Sequence, residues 1–526
     1  MHSIKKNYIY NLIYQILLVV APLVVTPYVS RVLQPAGIGL QSYSGSIVSY
    51  FALVAALGTA TFGPKVIGTL QGDAAGRSRK FWEIFVLRLA MTLMAFAAYL
   101  AYALFSEEGD GRTIALIFGL QLFGMIFDVT WFFQGMEEFG KISLSSVAFR
   151  IANIACIFIF VHETTDLALY VLFSVLFPVA ANVSLWLYLP KFLVRVKGIH
   201  PFADLKTVLQ LFVPAVAIQV YTILDKSMIG WFTDGTAQNG YYEQAEKVVK
   251  MSIAVVGSLG TVMVPRLSQK FSEGDEAGFQ FYLYKLYRCV MLAAIPMMLG
   301  LIVISDVFVP TFFGAGYEEC VLLLCIFSLL ALFIGLNSVT NAQFLVPTNR
   351  QNVFTVIVVL GAVVNCAFNL LLIPRYQAVG ACIASVIGEF VVLVAGLIYV
   401  AKKKLFRVLP IFATSVRYWI GGAVMFVCLY FLKGVAAASV WWLIALIAIG
   451  IAVYALSLFL MRDALFLELC QKLFGKLFRR KAPAAAAGED GGDSAPAAAA
   501  DDMAEPSVPA AAEEEKKDAE GGEETK

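Results

Sequence analysis

Glu243, Glu246, Lys247 and Lys250 stand at i, i+3, i+4 and i+7, so a helix through them presents all four on one face. Asp225 and Lys226 lie side by side in the preceding apolar stretch. Neighbours in a helix point in different directions, so both cannot face an apolar medium without cost. A second group, Arg88, Asp128 and Arg150, is spread over three other apolar stretches, and Glu389 stands by itself in another. None of these sets carries bond-making chemistry. There is no G-x-G-x-x-G, no P-loop lysine, no G-x-S-x-G and no histidine beside a nucleophile, which argues against an enzyme and against an ATPase. His2, His162 and His200 are the three histidines, and the eight cysteines include no C-x-x-C pair. Neither metal-ligand spacing nor a cofactor motif arises. What these residues can do is hold, steer or neutralise charge.

Their surroundings set the conditions for that. The chain has 526 residues, 60% hydrophobic and 14% charged, with a mean hydropathy of +0.79. Soluble domains run about 45–50% apolar and about 25% charged, so a water-soluble enzyme is excluded. A formal charge of +2 supplies no basic footprint for nucleic acid. The composition is that of an all-α polytopic membrane protein.

A helix crosses about 30 Å of hydrocarbon in roughly 20 residues. Fourteen stretches qualify. Six are 8–29, 38–58, 81–105, 113–134, 142–161 and 167–189. Six more are 208–232, 240–264, 290–308, 320–346, 353–373 and 379–400, followed by 411–432 and 441–461. With a cytoplasmic N-terminus, 26 lysines and arginines fall in cytoplasmic segments and four in outer loops, Arg31, Arg112, Arg375 and Lys433. That asymmetry is the positive-inside pattern. It predicts fourteen spans, both termini cytoplasmic, and a first span that is retained rather than cleaved.

The second and eighth spans share a pattern. Gly39 precedes Pro64-Lys65 by 25 residues, and Gly240 precedes Pro265-Arg266 by 25. Leu57-Gly58-Thr59 and Leu259-Gly260-Thr261 lie at nearly matching offsets. Six spans per half is an even number, so the expectation is two parallel six-helix repeats, 1–190 and 207–400, with helices 13 and 14 at 411–461. Residues 462–480 place Phe466, Leu469, Leu473 and Leu477 on one face, as in an interfacial amphipathic helix. Residues 481–526 carry 4 basic and 13 acidic groups, are rich in Ala, Glu and Gly, and are expected to be disordered.

Charge at membrane depth is costly and defaults to a functional or paired role. Arg88 and Arg150 either snorkel to the cytoplasmic interface, pair with Asp128, or meet an anion. The Glu243–Lys250 stripe either lines a water-filled cavity or faces an aqueous vestibule, and cavity lining is favoured. Asn337, Asn341, Gln343, Asn365 and Asn369 read as helix-helix glue.

Three segments carry a family resemblance. The first is Pro27-Tyr28-Val29-Ser30-Arg31-Val32-Leu33. The second is Phe127-Asp128-Val129-Thr130-Trp131-Phe132-Phe133-Gln134-Gly135-Met136-Glu137-Glu138-Phe139. The third runs from Ile218-Gln219-Val220-Tyr221 through Leu224-Asp225-Lys226 and Gly240-Tyr241-Tyr242-Glu243-Gln244-Ala245-Glu246-Lys247 to Val264-Pro265-Arg266. Over about residues 1–460 the chain resembles the Wzx-type flippases of lipid-linked oligosaccharides, the polysaccharide-transport branch of the MATE/MOP superfamily. The resemblance implies two six-helix bundles around a central cavity, in the plasma membrane of a bacterium. It implies movement of an undecaprenyl-diphosphate-linked oligosaccharide to the outer leaflet, with membrane lipids, a polysaccharide polymerase and glycosyltransferases as partners. On that reading Arg31, Arg88, Arg150, Lys226, Lys247 and Lys250 form the substrate pathway. Asp128, Asp225, Glu243, Glu246 and Glu389 then partner those charges or couple transport to a proton or sodium gradient. A multidrug-type exporter is the alternative, and a membrane-embedded polymerase or ligase of the same pathway a weaker one, since every outer loop is short.

The charge alternation makes a direct prediction. Reporter fusions after Arg195 and Arg407 should read cytoplasmic, and fusions within 106–112 external. An external signal from either of the first two would break the fourteen-span topology.

Overall fold

In hydrocarbon a helix satisfies its own backbone hydrogen bonds. The computed structural model describes residues 4–233, 235–261 and 264–479, and among these there are helices and no strand. The first half comprises α1 (Ile4–Ala56), α2 (Thr59–Thr69), α3 (Ala74–Phe105), α4 (Gly109–Gly124), α5 (Thr130–Gly135), α6 (Phe139–Phe160) and α7 (Leu167–Leu185). The second comprises α8 (Leu205–Phe232), α9 (Ala237–Thr261), α10 (Val264–Ser272), α11 (Glu276–Phe312), α12 (Cys320–Asn337) and α13 (Gln351–Lys402). Then come α14 (Leu409–Leu432), α15 (Val440–Leu460) and α16 (Ala464–Arg479). Ten helical segments among the described residues are long and apolar enough to cross a membrane.

Two of the helices are too long for one crossing. α1 has 53 residues and α13 has 52, about 78 Å each at 1.5 Å per residue. Each is in fact two helices joined at a corner. Gln34 leaves helical geometry (φ 57°, ψ 170°) just before Pro35, which has no amide hydrogen to continue the ladder. Gln377 does the same (φ 52°, ψ −129°) three residues after Pro374.

The repeat signature resolves differently from its sequence reading. The helix stops at Leu57-Gly58, both at positive φ, and Pro64 lies inside α2. Gly58 is required there, because a Cβ would sit 3.0 Å from the Val208 carbonyl oxygen. In the second half α9 ends at Thr261, and Pro265 falls in the first turn of α10, where its missing N–H costs nothing.

Side chains cap the polar ends. Asp73 accepts from the Ala75 and Gly76 amides ahead of α3, and Ser439 from the Trp442 amide ahead of α15. Asp275 caps α11 through the Gly278 amide at 2.8 Å. That bond, with Lys270 adding to it, holds the Asp275 carboxyl below the usual carboxylate range.

α1 is the axis of the molecule. It packs on α3, α4 and α6 in its own half and on α8 and α9 across the interface. Its core partners include Tyr99, Phe118, Leu122, Ile157 and Val171. In the second half α11 lies against α12, α14 and α15, around Tyr287, Met291, Tyr418 and Leu446.

The start of α16 is anchored to the second half. Phe466 packs on the second-half core, and Glu468 pairs with Lys285 at 2.8 Å. Asp463, immediately before it, is fully buried against Arg288 (2.9 Å). These ion pairs tie the helix to α11. Residues 481–526, expected to be disordered, lie outside the described residues.

Candidate functional site

A cavity of about 550 Å³ lies between the two halves. α1 contributes Gln41, Ser42, Ser46 and Ser49; α4 contributes Gln121. α8 contributes Gln219, Thr222 and Lys226, and α9 contributes Glu243 and Lys250. Along α1 the lining runs from Gln41 to Leu53, about 18 Å of helix.

The charged stripe forms one ladder. Lys226 reaches across from α8 to Glu243 (2.5 Å) and Glu246 (2.9 Å). Lys247 holds the other Glu243 oxygen at 3.2 Å, and Lys250 the other Glu246 oxygen at 2.8 Å. Ser42 donates to Glu243 from the opposite half at 2.8 Å. Three lysines against two glutamates leave one net positive charge, and the group with free surface is Lys250, 60% exposed.

Asp225 behaves otherwise. It turns away from Lys226 and is buried between α8, α9 and α13. Tyr242 donates to it at 2.6 Å, Ser385 and Asn369 at 2.5 Å each, and Asn365 in turn accepts from Asn369. No lysine or arginine among the described residues pairs with it. Of the amides read as helix glue, Asn369 thus holds this carboxylate, and Asn365 supports Asn369.

The remaining sequence candidates scatter. Arg88 is 3% exposed and bound to Asp128 at 2.7 Å, so it is not open to the cavity. A buried guanidinium paired with a half-buried carboxylate, rather than snorkelling, is the arrangement found for Arg88. Asp128 also accepts from the Thr130 amide and hydroxyl, which opens α5. Trp131, stacked on Phe81 at 5.6 Å, then packs against Gly63. The aromatic motif after Asp128 is therefore a corner locking α5 onto α2. Arg150 meets neither Asp128 nor the cavity. Lys247 lies behind Glu243, and Glu389 accepts from Asn337 at 2.6 Å.

Arg31 belongs to a seal at one end of the cavity. Its guanidinium donates to the Thr311 carbonyl at 2.6 Å, Tyr317 donates to the Ser30 carbonyl at 3.2 Å, and Gln244 donates to the Ser30 hydroxyl at 2.8 Å. Thr236 donates to the Ala36 carbonyl at 2.8 Å. The repeat glycines sit at its centre. A Cβ on Gly39 would lie 1.6 Å from the Thr236 oxygen, and one on Gly240 would lie 2.0 Å from the Pro35 oxygen. The two halves touch here backbone to backbone.

The sequence reading passed over the lining serines and the seal carbonyls. Ser42, Ser46 and Ser49 do repeat at i, i+4 and i+7, a signal of a polar helix face; main-chain carbonyls leave no signal.

The chain matches the sequence profile described as polysaccharide biosynthesis protein over residues 4–271. It belongs to that family. It is 22% identical over 410 residues to a candidate O-antigen transporter of Escherichia coli strain K12, covering 77% of this chain and 98% of the relative. Over 202 residues it is 23% identical to the lipid II flippase MurJ of Bacillus subtilis, 38% of this chain and 36% of the relative. Among solved structures it superposes on MurJ in an inward closed conformation with a TM-score of 0.70 at 15% identity, covering 87% of this chain and 99% of MurJ. It superposes on an inward-facing multidrug resistance MATE transporter of the MOP superfamily with a TM-score of 0.57 at 15% identity, covering 73% and 93%. This polysaccharide biosynthesis protein therefore has the MOP fold, and its charged ladder and glycine seal lie on the facing surfaces of the two halves.

The seal predicts a labelling pattern. In a background without the eight native cysteines, Ser42→Cys should be shielded from a membrane-impermeant thiol reagent applied on the sealed side. Adding Gly240→Leu should expose it several-fold more. Unchanged shielding would show that the close backbone contact does not close the cavity.

Proposed function

We propose that this protein flips undecaprenyl-diphosphate-linked oligosaccharide from the cytoplasmic to the outer leaflet of a bacterial plasma membrane. The observation that carries the reading is the polar, net-cationic cavity between two halves, sealed at one end by contacts that a rocking motion can exchange. A diphosphate with a hydrated sugar needs such a route through a low-dielectric slab. The family, the O-antigen transporter relative and the lipid II flippase relative support the substrate class.

Fourteen spans suit this reading. The ten apolar segments include two double ones, divided at or near Gln34 and Gln377, and α8 and α9 are long enough to add two. The positive-inside count then puts both termini in the cytoplasm and the seal outside. The two halves act as parallel repeats about the cavity. Lys250 and the surplus charge of its ladder take the diphosphate, while Glu243 and Glu246 hold the lysines in place. Polymerase and glycosyltransferases act on either side of the step.

Asp225 is the coupling site on this reading. A buried carboxylate ringed by Tyr242, Ser385 and Asn369, without a paired cation among the described residues, has room in its chemistry for a proton or a sodium ion. Asp225→Asn keeps the shape and removes the charge.

Two measurements in vesicles carrying lipid-linked oligosaccharide test this. Lys250→Ala should lower outward flipping roughly tenfold or more, since hydrogen bonds to charged groups contribute about 1.5–3 kcal/mol, and Lys250→Arg should keep most of it. Full flipping by Lys250→Ala would remove the headgroup role. Asp225→Asn should flip at a rate indifferent to imposed proton or sodium gradients. A mutant that still follows the gradient would place the coupling elsewhere.

A further inference from the structure

A second pocket, lined by both polar and apolar side chains, lies within the first half, between α5, α6 and α7. It has a volume of about 320 Å³ and shares no lining residue with the central cavity. Ser146, Phe149, Arg150 and Asn153 recur at i, i+3, i+4 and i+7 and form one wall; Gln134 and Asn182 close it. Arg150 lies eleven residues into α6, about 16 Å along the helix. A charge at that depth needs a partner or water.

The carboxylates nearest in sequence are engaged elsewhere. Asp128 is taken by Arg88, and Glu138 by Lys141 at 3.0 Å. Among the described residues no carboxylate pairs with Arg150. Asn153 is 7% exposed, and its Nδ2 has no hydrogen-bond partner although it lines the pocket. A guanidinium and amide donors therefore converge on a space without an anionic acceptor. A planar guanidinium matches phosphate oxygens two at a time. Beside the pocket α6 exposes Leu144 and Ile151, and α7 exposes Leu176 and Val183. A pocket with one cationic wall, flanked by apolar helix surface, fits an amphiphile whose head enters sideways while its chains stay in the bilayer.

We propose that this pocket binds the phosphate of a lipid headgroup, at a site separate from the central cavity. Arg150 grips the phosphate and Asn153 supplies the second donor. The inference needs the membrane reading but not the transport one. The phosphate belongs either to a prenyl diphosphate waiting at the protein or to an anionic phospholipid of the bilayer.

Native mass spectrometry of the full chain, exchanged into phosphatidylcholine nanodiscs, reads the site. The probes are undecaprenyl diphosphate and dioleoylphosphatidylglycerol, titrated separately. The wild type should retain at least one of them. Arg150→Ala should weaken that binding roughly tenfold or more, and Arg150→Lys should weaken it less. Asn153→Leu should weaken it too, and it tests the site without removing a charge if Arg150→Ala fails to fold. Preference for the prenyl diphosphate marks a waiting position for a transported lipid; preference for phosphatidylglycerol marks a structural lipid. Lys250→Ala should leave this binding unchanged whatever it does to flipping, which keeps failure of the pocket apart from failure of the transport reading. Wild-type binding in both Arg150→Ala and Asn153→Leu, or no retention of either probe, would overturn the proposal.

Discussion

A charge in a low-dielectric slab must be neutralised where it stands, and Lys226 does this for the centre of the molecule. Bridging Glu243 and Glu246, it ties α8 to α9 and turns the charged face of α9 to the interior. Lys247 and Lys250 fill the remaining carboxylate oxygens. Removing a well-buried partner such as Glu243 costs about 3–5 kcal/mol, whereas the exposed Lys250 contributes less. The ladder's surplus positive charge reaches the cavity at Lys250, which is also paired with Glu246. The hydroxyls of Ser42, on Glu243, and Ser46, on Ser227, then join α1 to this surface from the other half.

The seal is held by a different kind of contact. Apolar interdigitation joins the helices within each half, whereas the halves meet at this end through hydrogen bonds to carbonyls and through two glycines. Hydrogen bonds exchanged for water contribute only about 0.5–1.5 kcal/mol each. A joint made of them holds while its members act together and gives way without unpacking a core. Glycine is needed at 39 and 240 for space rather than for backbone freedom, since neither has a positive φ.

Charges that look alike in sequence serve different ends. Arg88–Asp128 and Arg288–Asp463 are joints with one buried partner each: the first positions the corner at Thr130-Trp131, the second holds the approach to α16. Asp225 is satisfied by neutral donors, which stabilise a carboxylate without fixing its charge state. Arg150 has neutral polar side chains around it and no paired carboxylate among the described residues. What separates these roles is the sign and number of hydrogen-bonding neighbours.

The sequence by itself determined the helical membrane architecture, because hydropathy over 20-residue stretches reflects transfer free energy and needs no partner. It also determined that the α9 charges share one face, since i, i+3, i+4 and i+7 do so on any helix. The glycines at 39 and 240 stood out in the sequence by their equal spacing from Pro64 and Pro265, though not as a contact. Tertiary structure alone decided which cation meets which anion. Arg88 and Arg150 were equivalent candidates for Asp128, and packing of α3 against the corner before α5 gave it to Arg88. Likewise Asp225 and Lys226, adjacent in the chain, were sent to different neighbours, because one residue of helix rotates the side chain by about 100°. The seal was invisible for a further reason: most of its acceptors are main-chain carbonyls, which every residue carries, and only the approach of the two halves selects Ser30, Ala36 and Thr311.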